Sequence, residues 1–328
     1  MKNILITGGT GFIGFQLAKH HHENGDRVYL IDNLFKNNRQ FDREFELFLL
    51  NENVFFFKCD LTKKIKNHRI PNNIDCVYHL AAINGTDLFY KIPYDLCRNN
   101  ILITINLLDF LKKIKVGKLV YASTSEVYAG GEDLNLIQIP TAENVPVVFP
   151  QPTDKRFSYA TSKFLGEFLS FNFGDLLSIP TSVVRFHNIY GPRMGNRHVI
   201  PNFIEKALSN SKDFILNGAD NTRAFCYIDD AINAISLVAK FSNTDKKILH
   251  VGNENEEISI IELAKVICQI MGKEFSFSDN GAPKMSVNRR CPSTSELLKL
   301  TGFAAKVSLY DGLKNTIDWY LNNQFIKK

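Results

Sequence analysis

Several features that mark membrane, secreted or nucleic-acid-binding proteins are missing from this 328-residue sequence. No apolar run approaches the roughly 20 residues that cross a bilayer, and Met1 to Asn3 form no basic-then-apolar leader. The six cysteines include no Cys-x-x-Cys pair, so reduced thiols are expected rather than a disulfide framework. The net charge of +5 is spread along the chain without a basic block, which argues against a nucleic-acid partner. We therefore expect a cytoplasmic protein without a membrane or nucleic-acid partner.

A metal site is not expected either. The run His20-His21-His22 lies at the end of a predicted helix, where successive side chains fan around the axis and cannot converge on one ion. What the sequence does contain is a globular balance of 45% hydrophobic and 22% charged residues. A chain of this length buries a sizeable core and allows about two domains.

Short apolar runs alternate with helical patterns in the first half of the sequence. The predicted strands cover residues 3–7, 27–31, 54–58, 76–80, 118–122 and 181–186, and the predicted helices cover 12–24, 99–114 and 161–174. This alternation predicts an α/β fold with a Rossmann-type, doubly wound parallel sheet. Beyond about residue 190 the pattern loosens, with helices predicted at 200–209, 229–241, 260–271 and 309–322. We predict a Rossmann domain over 1–180 and a smaller C-terminal α/β domain over 181–328, with interleaved segments.

A glycine-rich turn follows the first predicted strand and opens the first predicted helix. Its glycines, Gly8, Gly11 and Gly14, allow the backbone to turn tightly and approach a pyrophosphate, which the helix N-terminus also favours. Asp32 ends the second predicted strand, where a carboxylate can accept hydrogen bonds from both adenosine ribose hydroxyls and repel a 2′-phosphate. The turn and Asp32 predict NAD binding in preference to NADP, and Asp60-Leu61, after the third strand, could meet the adenine.

A tyrosine and a lysine are spaced to share one face of a helix. Tyr159 and Lys163 stand four residues apart at a predicted helix start. A nearby ammonium favours the phenolate, so we predict a lowered pKa for Tyr159 and a role in taking a proton from a hydroxyl while hydride leaves the same carbon. Thr124, at the end of the fifth predicted strand, could hydrogen-bond the reacting oxygen.

Taken together, these motifs resemble the extended short-chain dehydrogenase/reductase family, the NAD-dependent nucleotide-sugar epimerases and dehydratases. The residues that carry the resemblance are Thr7 to Gly14, Asp32, His79 to Ala82, Asn100, Ser123 to Tyr128, Tyr159 with Lys163, Arg185 to Arg193, Val199 to Pro201, and Thr222 to Phe225 before Asp229-Asp230. The similarity extends from residue 3 to roughly 320.

The resemblance implies roles for individual residues. The implied catalytic residues are Thr124, Ser125, Glu126, Tyr159 and Lys163. The implied NAD-binding residues are Gly8, Gly11, Phe12, Ile13, Gly14, Asp32, Asn33, Asp60, Leu61, Leu80, Ala81, Ala82 and Asn100. A nucleotide-diphosphate sugar would be held by Arg156, Asn188, Val199, Arg223 and Arg290, since guanidinium groups suit phosphate and carboxylate oxygens. In relatives, helices equivalent to 99–114 and 161–174 pair across a two-fold axis, which implies a homodimer through a four-helix bundle.

The reaction that follows oxidation of the sugar at C4 is left open. The Thr124-Ser125-Glu126 triplet resembles the 4,6-dehydratases, in which Glu126 could remove the C5 proton, and this reaction is expected first. The triplet and Arg156 also resemble UDP-glucuronate decarboxylases, in which the β-keto acid would lose carbon dioxide. A plain 4-epimerase is the third alternative, and a non-catalytic NAD-sensing scaffold on the same fold is the fourth. The enzymatic alternatives would serve polysaccharide or glycoconjugate synthesis.

Overall fold

The computed structural model describes residues 1–35, 42–66, 69–195, 198–208, 213–282 and 287–323. The strands are β1 Asn3–Thr7, β2 Arg27–Asp32, β3 Val54–Lys58, β4 Asn73–Ile74, β5 Cys76–His79, β6 Lys115–Val116, β7 Leu119–Thr124, β8 Thr181–Phe186, β9 Ile189–Tyr190, β10 Asp213–Leu216, β11 Thr222–Ala224, β12 Cys226–Tyr227, β13 Ile248–Val251, β14 Glu257–Ser259, β15 Ser276–Asp279 and β16 Arg289–Arg290. The α-helices are α1 Phe12–Glu23, α2 Arg43–Phe48, α3 Thr86–Lys91, α4 Pro93–Leu111, α5 Ala129–Asp133, α6 Phe157–Leu177, α7 Val199–Leu208, α8 Ile228–Lys240, α9 Ile260–Ile270, α10 Ser295–Thr301 and α11 Leu309–Asn322.

The predicted Rossmann-type fold is confirmed. Seven strands form one parallel sheet in the order β13-β8-β7-β5-β1-β2-β3. The order of the strands reverses at β1, which pairs with β2 on one side and with β5 on the other. Ligands of doubly wound sheets bind at such a switch point, beyond the carboxyl ends of the strands.

Two elements differ from the sequence prediction in ways that matter for the site. Helix α6 begins at Phe157, four residues before the predicted start, and therefore includes Tyr159 in its first turn. Strand β13 was not predicted, because its four apolar residues lie where the sequence pattern has loosened. The helix predicted over 200–209 is observed as α7, and residue 209 lies outside the described residues.

A large apolar cluster positions the helices that carry the candidate catalytic residues. Buried side chains of β1, β5 and β7 pack with those of α4, among them Leu107 and Leu111, and with Phe173 of α6. Their burial holds α4 and α6 together against the sheet, since each fully buried large apolar side chain contributes about 1.5–3 kcal/mol. The opposite ends of these helices, which carry Asn100 and Lys163, are thereby fixed in place.

The chain separates into two compact units, each built from three segments. Unit 1 contains Met1–Val127, Phe149–Arg185 and Ala234–Leu249, and unit 2 contains Tyr128–Val148, Phe186–Asn233 and His250–Lys328. A single boundary at residue 180 does not describe this division, because 128–148 belongs to unit 2 and 234–249 to unit 1. Unit 1 carries most of the large sheet, and unit 2 contains the smaller β14-β11-β16, β10-β15 and β12-β9 sheets.

Candidate active site

The turn after β1 is built so tightly that it excludes side chains. Gly8 has a φ of +72°, and a Cβ there would lie 2.9 Å from the backbone nitrogen of Ala81. A Cβ on Gly14 would overlap the carbonyl oxygen of Gly8. Helix α1 then begins at Phe12 with no side-chain hydrogen bond at its N-cap, Gly11. Bare backbone at a helix N-terminus suits a pyrophosphate, so Gly8, Gly11, Phe12, Ile13 and Gly14 form a cradle that fits NAD.

Asp32 lies at the end of the neighbouring strand and faces the same turn. Its Oδ2 accepts a hydrogen bond from the Thr10 backbone N–H at 3.1 Å, and its Oδ1 accepts one from Leu34 at 2.7 Å. The carboxylate is thereby fixed beside the glycine-rich turn, and its predicted contact with the adenosine ribose stays a prediction. The adjacent Asn33 side chain accepts a hydrogen bond from the Phe35 N–H.

Buried hydroxyls and an imidazole connect the ends of β1 and β5 to α4. Burial lowers the pKa of His79 to about 3, so its ring is neutral. Thr104 donates to the carbonyl of Asn100, so its hydroxyl oxygen accepts from His79 Nε2 at 3.2 Å, and Nδ1 then accepts from the Thr7 hydroxyl at 2.7 Å. The Thr7 oxygen also accepts from the Ala81 N–H at 3.2 Å. This chain fixes the segment of Leu80, Ala81 and Ala82 against the glycine-rich turn.

Asn100 joins two other parts of unit 1. Its side chain accepts from the Ile83 N–H at 2.7 Å and donates to the Ile83 carbonyl and to the Ser162 hydroxyl, both at 3.1 Å. Ser162 in turn donates to the Tyr159 carbonyl at 2.7 Å. The predicted NAD ligand Asn100 is therefore buried and tied to the helix that carries Tyr159.

The two residues after β3 have local partners. Asp60 accepts from the Thr62 backbone and hydroxyl at 3.0 and 2.8 Å, which closes a short turn. The Leu61 side chain lies in the apolar core, so only its backbone is available to a ligand. The adenine contact predicted for this pair remains a prediction.

Tyr159 is buried in unit 1, where Thr124, Glu126 and Phe89 act on its side chain. Its ring stacks on Phe89, with centroids 5.1 Å apart and an interplanar angle of 9°. Its hydroxyl is hydrogen-bonded to Thr124, and the Glu126 carboxylate acts on it through its charge. The structure thus brings together three of the five predicted catalytic residues.

The predicted direction of the Tyr159 pKa is wrong. The pKa of Tyr159 is raised above its ordinary value, because burial disfavours the phenolate and the Glu126 carboxylate repels it, while only the Thr124 hydrogen bond opposes them. The Lys163 ammonium lies over the Tyr121 ring, 4.5 Å from its centroid. Burial lowers the pKa of Lys163 to about 7, against the charge of Glu167. The spacing of Tyr159 and Lys163 in the sequence does not show that both side chains are buried, and burial is the largest cause of both pKa shifts.

Ser125 and Glu126 follow β7 in a single 3₁₀ turn that ends at Tyr128. Ser125 is buried, whereas Glu126 is half-buried and its N–H donates to the Thr124 hydroxyl at 3.2 Å. Arg156 occupies the N-cap position of α6 and is buried, with its guanidinium 5.7 Å from the Phe157 ring centroid. A buried cation therefore stands one turn before Tyr159.

Unit 2 contains a separate cavity of about 380 Å³ that is rich in donors. Its lining residues are Asn188, His198, Val199, Asn202, Phe203, Lys206, Ile215, Asn217, Asn221, Arg223, Phe225 and Ile260. Three predicted substrate ligands, Asn188, Val199 and Arg223, therefore meet in one place. The Arg223 guanidinium donates to the carbonyls of Thr222 at 2.7 Å and Val287 at 2.5 Å, and these bonds fix its orientation.

Arg290 is not among the residues that line this cavity. Its guanidinium donates to Glu132 Oε2 through Nε at 3.3 Å and through Nη2 at 3.1 Å, in a buried ion pair. Glu132 was not singled out in the sequence, because 158 residues separate the two partners. The predicted contact of Arg290 with substrate stays a prediction.

The described residues contain neither a candidate membrane span nor a candidate metal site. None of the helices in this part of the chain has the length and apolar character needed to span a bilayer. Across the same residues, no group of three or more His, Cys, Asp or Glu side chains is placed to hold a metal ion.

Known proteins are similar to this chain over nearly its whole length. A UDP-N-acetyl-alpha-D-glucosaminuronate decarboxylase of Bacillus cytotoxicus is 32% identical over 97% of this chain and 98% of its own length. A human dTDP-D-glucose 4,6-dehydratase is 30% identical over 98% of this chain and 91% of its own length. The crystal structure of UDP-glucuronic acid 4-epimerase from Bacillus cereus, in complex with UDP-glucuronic acid and NAD, superimposes with a TM-score of 0.84 at 26% identity, covering 97% of this chain and 98% of the other.

The family model described as NAD dependent epimerase/dehydratase family matches residues 4–252. The glycine cradle, the carboxylate of Asp32 and the Thr124–Tyr159 pair lie within this range, and NAD is the cofactor of the family. The chain is therefore an enzyme that belongs to the NAD-dependent epimerase/dehydratase family of nucleotide-sugar enzymes.

Proposed function

We propose that this enzyme decarboxylates a UDP-linked uronic acid through a 4-keto intermediate. The observation that carries the proposal is the buried Arg156 guanidinium, one turn before Tyr159 in α6. A buried cation beside the oxidation site suits a substrate that carries a carboxylate on the sugar ring. The names of two relatives, a glucosaminuronate decarboxylase and a glucuronic acid 4-epimerase, also refer to UDP-linked uronic acids.

The oxidation step uses groups that are placed together in unit 1. Thr124 hydrogen-bonds the Tyr159 hydroxyl and can orient the C4 hydroxyl, from which Tyr159 takes the proton. NAD supplies, when bound, a reversible acceptor for the C4 hydride and a positive charge that favours the phenolate. Lys163, when protonated, adds a second positive charge to this part of unit 1. The β-keto acid with its ketone at C4 then breaks its C5–C6 bond, releases C6 as carbon dioxide and takes up a proton at C5. Return of the hydride to C4 and of a proton from Tyr159 to the C4 oxygen would restore the hydroxyl and leave the reaction redox-neutral overall.

A 4,6-dehydratase is the second candidate, and Glu126 favours it. The charge of this carboxylate acts on the Tyr159 hydroxyl, so it lies near the position where the reacting ring carbons would stand. At that position Glu126 could remove the C5 proton of a 4-keto hexose, after which the C6 hydroxyl would leave. The Ser125-Glu126 pair therefore fits both reactions, whereas Arg156 favours the uronic acid.

Incubation with single substrates distinguishes these reactions. We expect loss of carbon dioxide from UDP-glucuronate or UDP-N-acetylglucosaminuronate by mass spectrometry, and a large loss of that activity in Arg156→Met. Loss of water from dTDP-glucose, with the uronates untouched, would replace the decarboxylase with the dehydratase. Conversion of a uronate without a change in mass would indicate a 4-epimerase.

We further propose that two copies associate through α4 and α6, as expected from the sequence. These helices pack on each other, and apolar side chains on them are exposed: Ile105 by 37%, Phe164 by 39% and Phe168 by 61%. Light scattering should report a dimer at micromolar concentration, and Phe168→Asp should shift it towards the monomer without unfolding it. A wild-type monomer at that concentration contradicts the proposal.

A further inference from the structure

A fully enclosed carboxylate lies behind the proposed oxidation site of unit 1. Glu167 of α6 is 2% exposed, and Arg185 of β8 is also 2% exposed. Arg185 donates through Nε to Glu167 Oε1 at 2.9 Å and through Nη2 to Oε2 at 2.6 Å. The Ser123 hydroxyl donates to the same Oε1 atom. Glu167, Arg185 and Ser123 have no role in the proposed oxidation and decarboxylation steps.

The partners of Glu167 connect the elements that carry the reacting groups. Ser123 is the residue immediately before Thr124 at the end of β7. Glu167 lies one helical turn after Lys163 and two turns after Tyr159 on α6. One carboxylate therefore links the strand end that presents Thr124 with the helix that presents Tyr159 and Lys163.

The packing around Lys163 leaves little freedom for its ammonium. A Cβ on Gly166 would overlap the hydroxyl of Tyr121, so the absence of a side chain at 166 lets that ring lie under Lys163. The titratable groups that act on this region are Glu167, Tyr121, Tyr159 and His79. Among them Glu167 is the carboxylate that raises the pKa of Lys163 against the effect of burial.

We propose that Glu167 is a positioning residue of the oxidation step: it holds the Thr124 strand end against α6 and supplies the counter-charge for the Lys163 ammonium. The inference rests on the proposed function for the roles of Thr124, Tyr159 and Lys163. A purely structural Glu167–Arg185 pair would stabilise unit 1 without affecting how the oxidation rate depends on pH. The pH dependence therefore separates the two roles.

The test uses a double variant, because Glu167→Gln alone leaves Arg185 buried without a counter-charge, which destabilises proteins strongly. Glu167→Gln/Arg185→Met removes both charges together, a replacement that is often tolerated. In single-turnover mixing with NAD and UDP-glucuronate, we expect the alkaline limb of the NADH-formation profile to move to lower pH. The rate at pH 8 should fall roughly fivefold more than the rate at pH 6, as expected when the governing pKa decreases from about 7 by about one unit.

A second measurement needs no turnover. Because the folded-state pKa of Lys163 is lowered to about 7, the unfolded chain binds more protons above that pH, and thermal stability gains a contribution that rises with pH. In the cofactor-free double variant this rise should begin at lower pH than in wild type. Glu167→Asp, which keeps the charge on a shorter side chain, should keep the wild-type onset.

Asp245→Asn provides a matched control. Lys118, just before the other end of β7, is buried and donates to Asp245 Oδ1 at 2.6 Å. Loss of the Lys118–Asp245 ion pair in Asp245→Asn should lower the unfolding temperature and leave the pH profile of NADH formation unchanged.

Failure of the inference about Glu167 and failure of the proposed function give different experimental results. A double variant that loses rate equally at all pH values, with an unchanged onset of the stability rise, overturns the inference about Glu167. A wild-type enzyme that forms no NADH with any uronate or hexose nucleotide overturns the proposed function, while the cofactor-free stability measurement still tests Glu167.

Discussion

The charged and hydroxyl groups around the oxidation site of unit 1 and the cavity-facing donors of unit 2 are held in different ways. In unit 1, side chains fix side chains, as in the Thr7–His79–Thr104 chain and the Ser123–Glu167–Arg185 cluster. In unit 2, backbone carbonyls fix the donors that face the cavity: Asn188 donates to Ala224, Lys206 to Ile215 and Arg223 to Val287. A titratable side-chain partner can change the pKa of the group that it contacts, whereas a backbone carbonyl only fixes the orientation of the donor. Changes in unit 1 should therefore alter rates and pH profiles, and changes in unit 2 should alter substrate affinity.

The largest effect is expected at the reacting hydroxyl of unit 1. Tyr159→Phe removes the proton acceptor but keeps the stacking on Phe89, so oxidation should slow by at least about 10²- to 10⁴-fold. Stopped-flow absorbance of NADH measures this loss directly, and NAD affinity from calorimetry should stay near the wild-type value. Retention of more than a tenth of the wild-type rate would remove Tyr159 from the mechanism.

The next effect tests the cradle after β1. Gly14→Ala places a methyl group on the Gly8 carbonyl oxygen, so the turn must open, and NAD affinity should fall roughly hundredfold, about 2.7 kcal/mol. Gly25→Ala is the control, because a Cβ on Gly25 would meet nothing within 4 Å, so only its positive φ of +80° opposes a side chain there. It should cost about 1 kcal/mol of stability and no NAD affinity. Equal losses of affinity in both variants would contradict the steric explanation.

A smaller effect, confined to binding, is expected in unit 2. Arg223→Met removes a charged donor from the cavity, so KM for the nucleotide sugar should rise roughly tenfold, as for loss of one charge-assisted hydrogen bond. Steady-state kinetics should show an almost unchanged kcat. Arg289→Met is the control, since its exposed guanidinium pairs with Glu257 outside the residues that line the cavity. A drop in kcat without a rise in KM would show that Arg223 in unit 2 affects the rate and not substrate affinity, which contradicts the difference proposed between the units.

The last effect concerns stability rather than rate or affinity, and it is a slope of the unfolding free energy with pH. The pKa of His79 is lowered to about 3 in the folded protein, so between about pH 6.5 and 3 the unfolded chain binds a proton that the folded chain does not. Stability should therefore fall as the pH drops through this window. His79→Gln lacks the titrating ring, so the stability gap between wild type and variant should narrow by about 3 kcal/mol between pH 7 and pH 4. Denaturant unfolding at the two pH values measures the gap, and a constant gap would show that His79 does not titrate as described.

The sequence predicted those parts of the site that depend on local spacing. The glycine-rich turn follows β1, Asp32 ends β2, and Tyr159 and Lys163 lie one turn apart in α6, as residue type and interval predicted, whereas the roles of these residues stay predictions. The burial of Tyr159 against Phe89 joins residues 70 positions apart, so the direction of its pKa was out of reach. The Glu132–Arg290 ion pair and strand β13 could not be predicted either, because each depends on contacts between residues far apart in the sequence, and β13 forms by pairing with β8.

Helix α6 shows how a residue without reactive atoms can be as constrained as one that takes part in the chemistry. Gly166 donates no side-chain hydrogen bond and binds nothing, but any side chain there would displace the Tyr121 ring from beneath the Lys163 ammonium. In a saturation mutagenesis screen for activity, position 166 should therefore tolerate as few substitutions as position 159. Natural variation along α6 should be concentrated at exposed positions near its C-terminal end, such as Asp175 and Leu176.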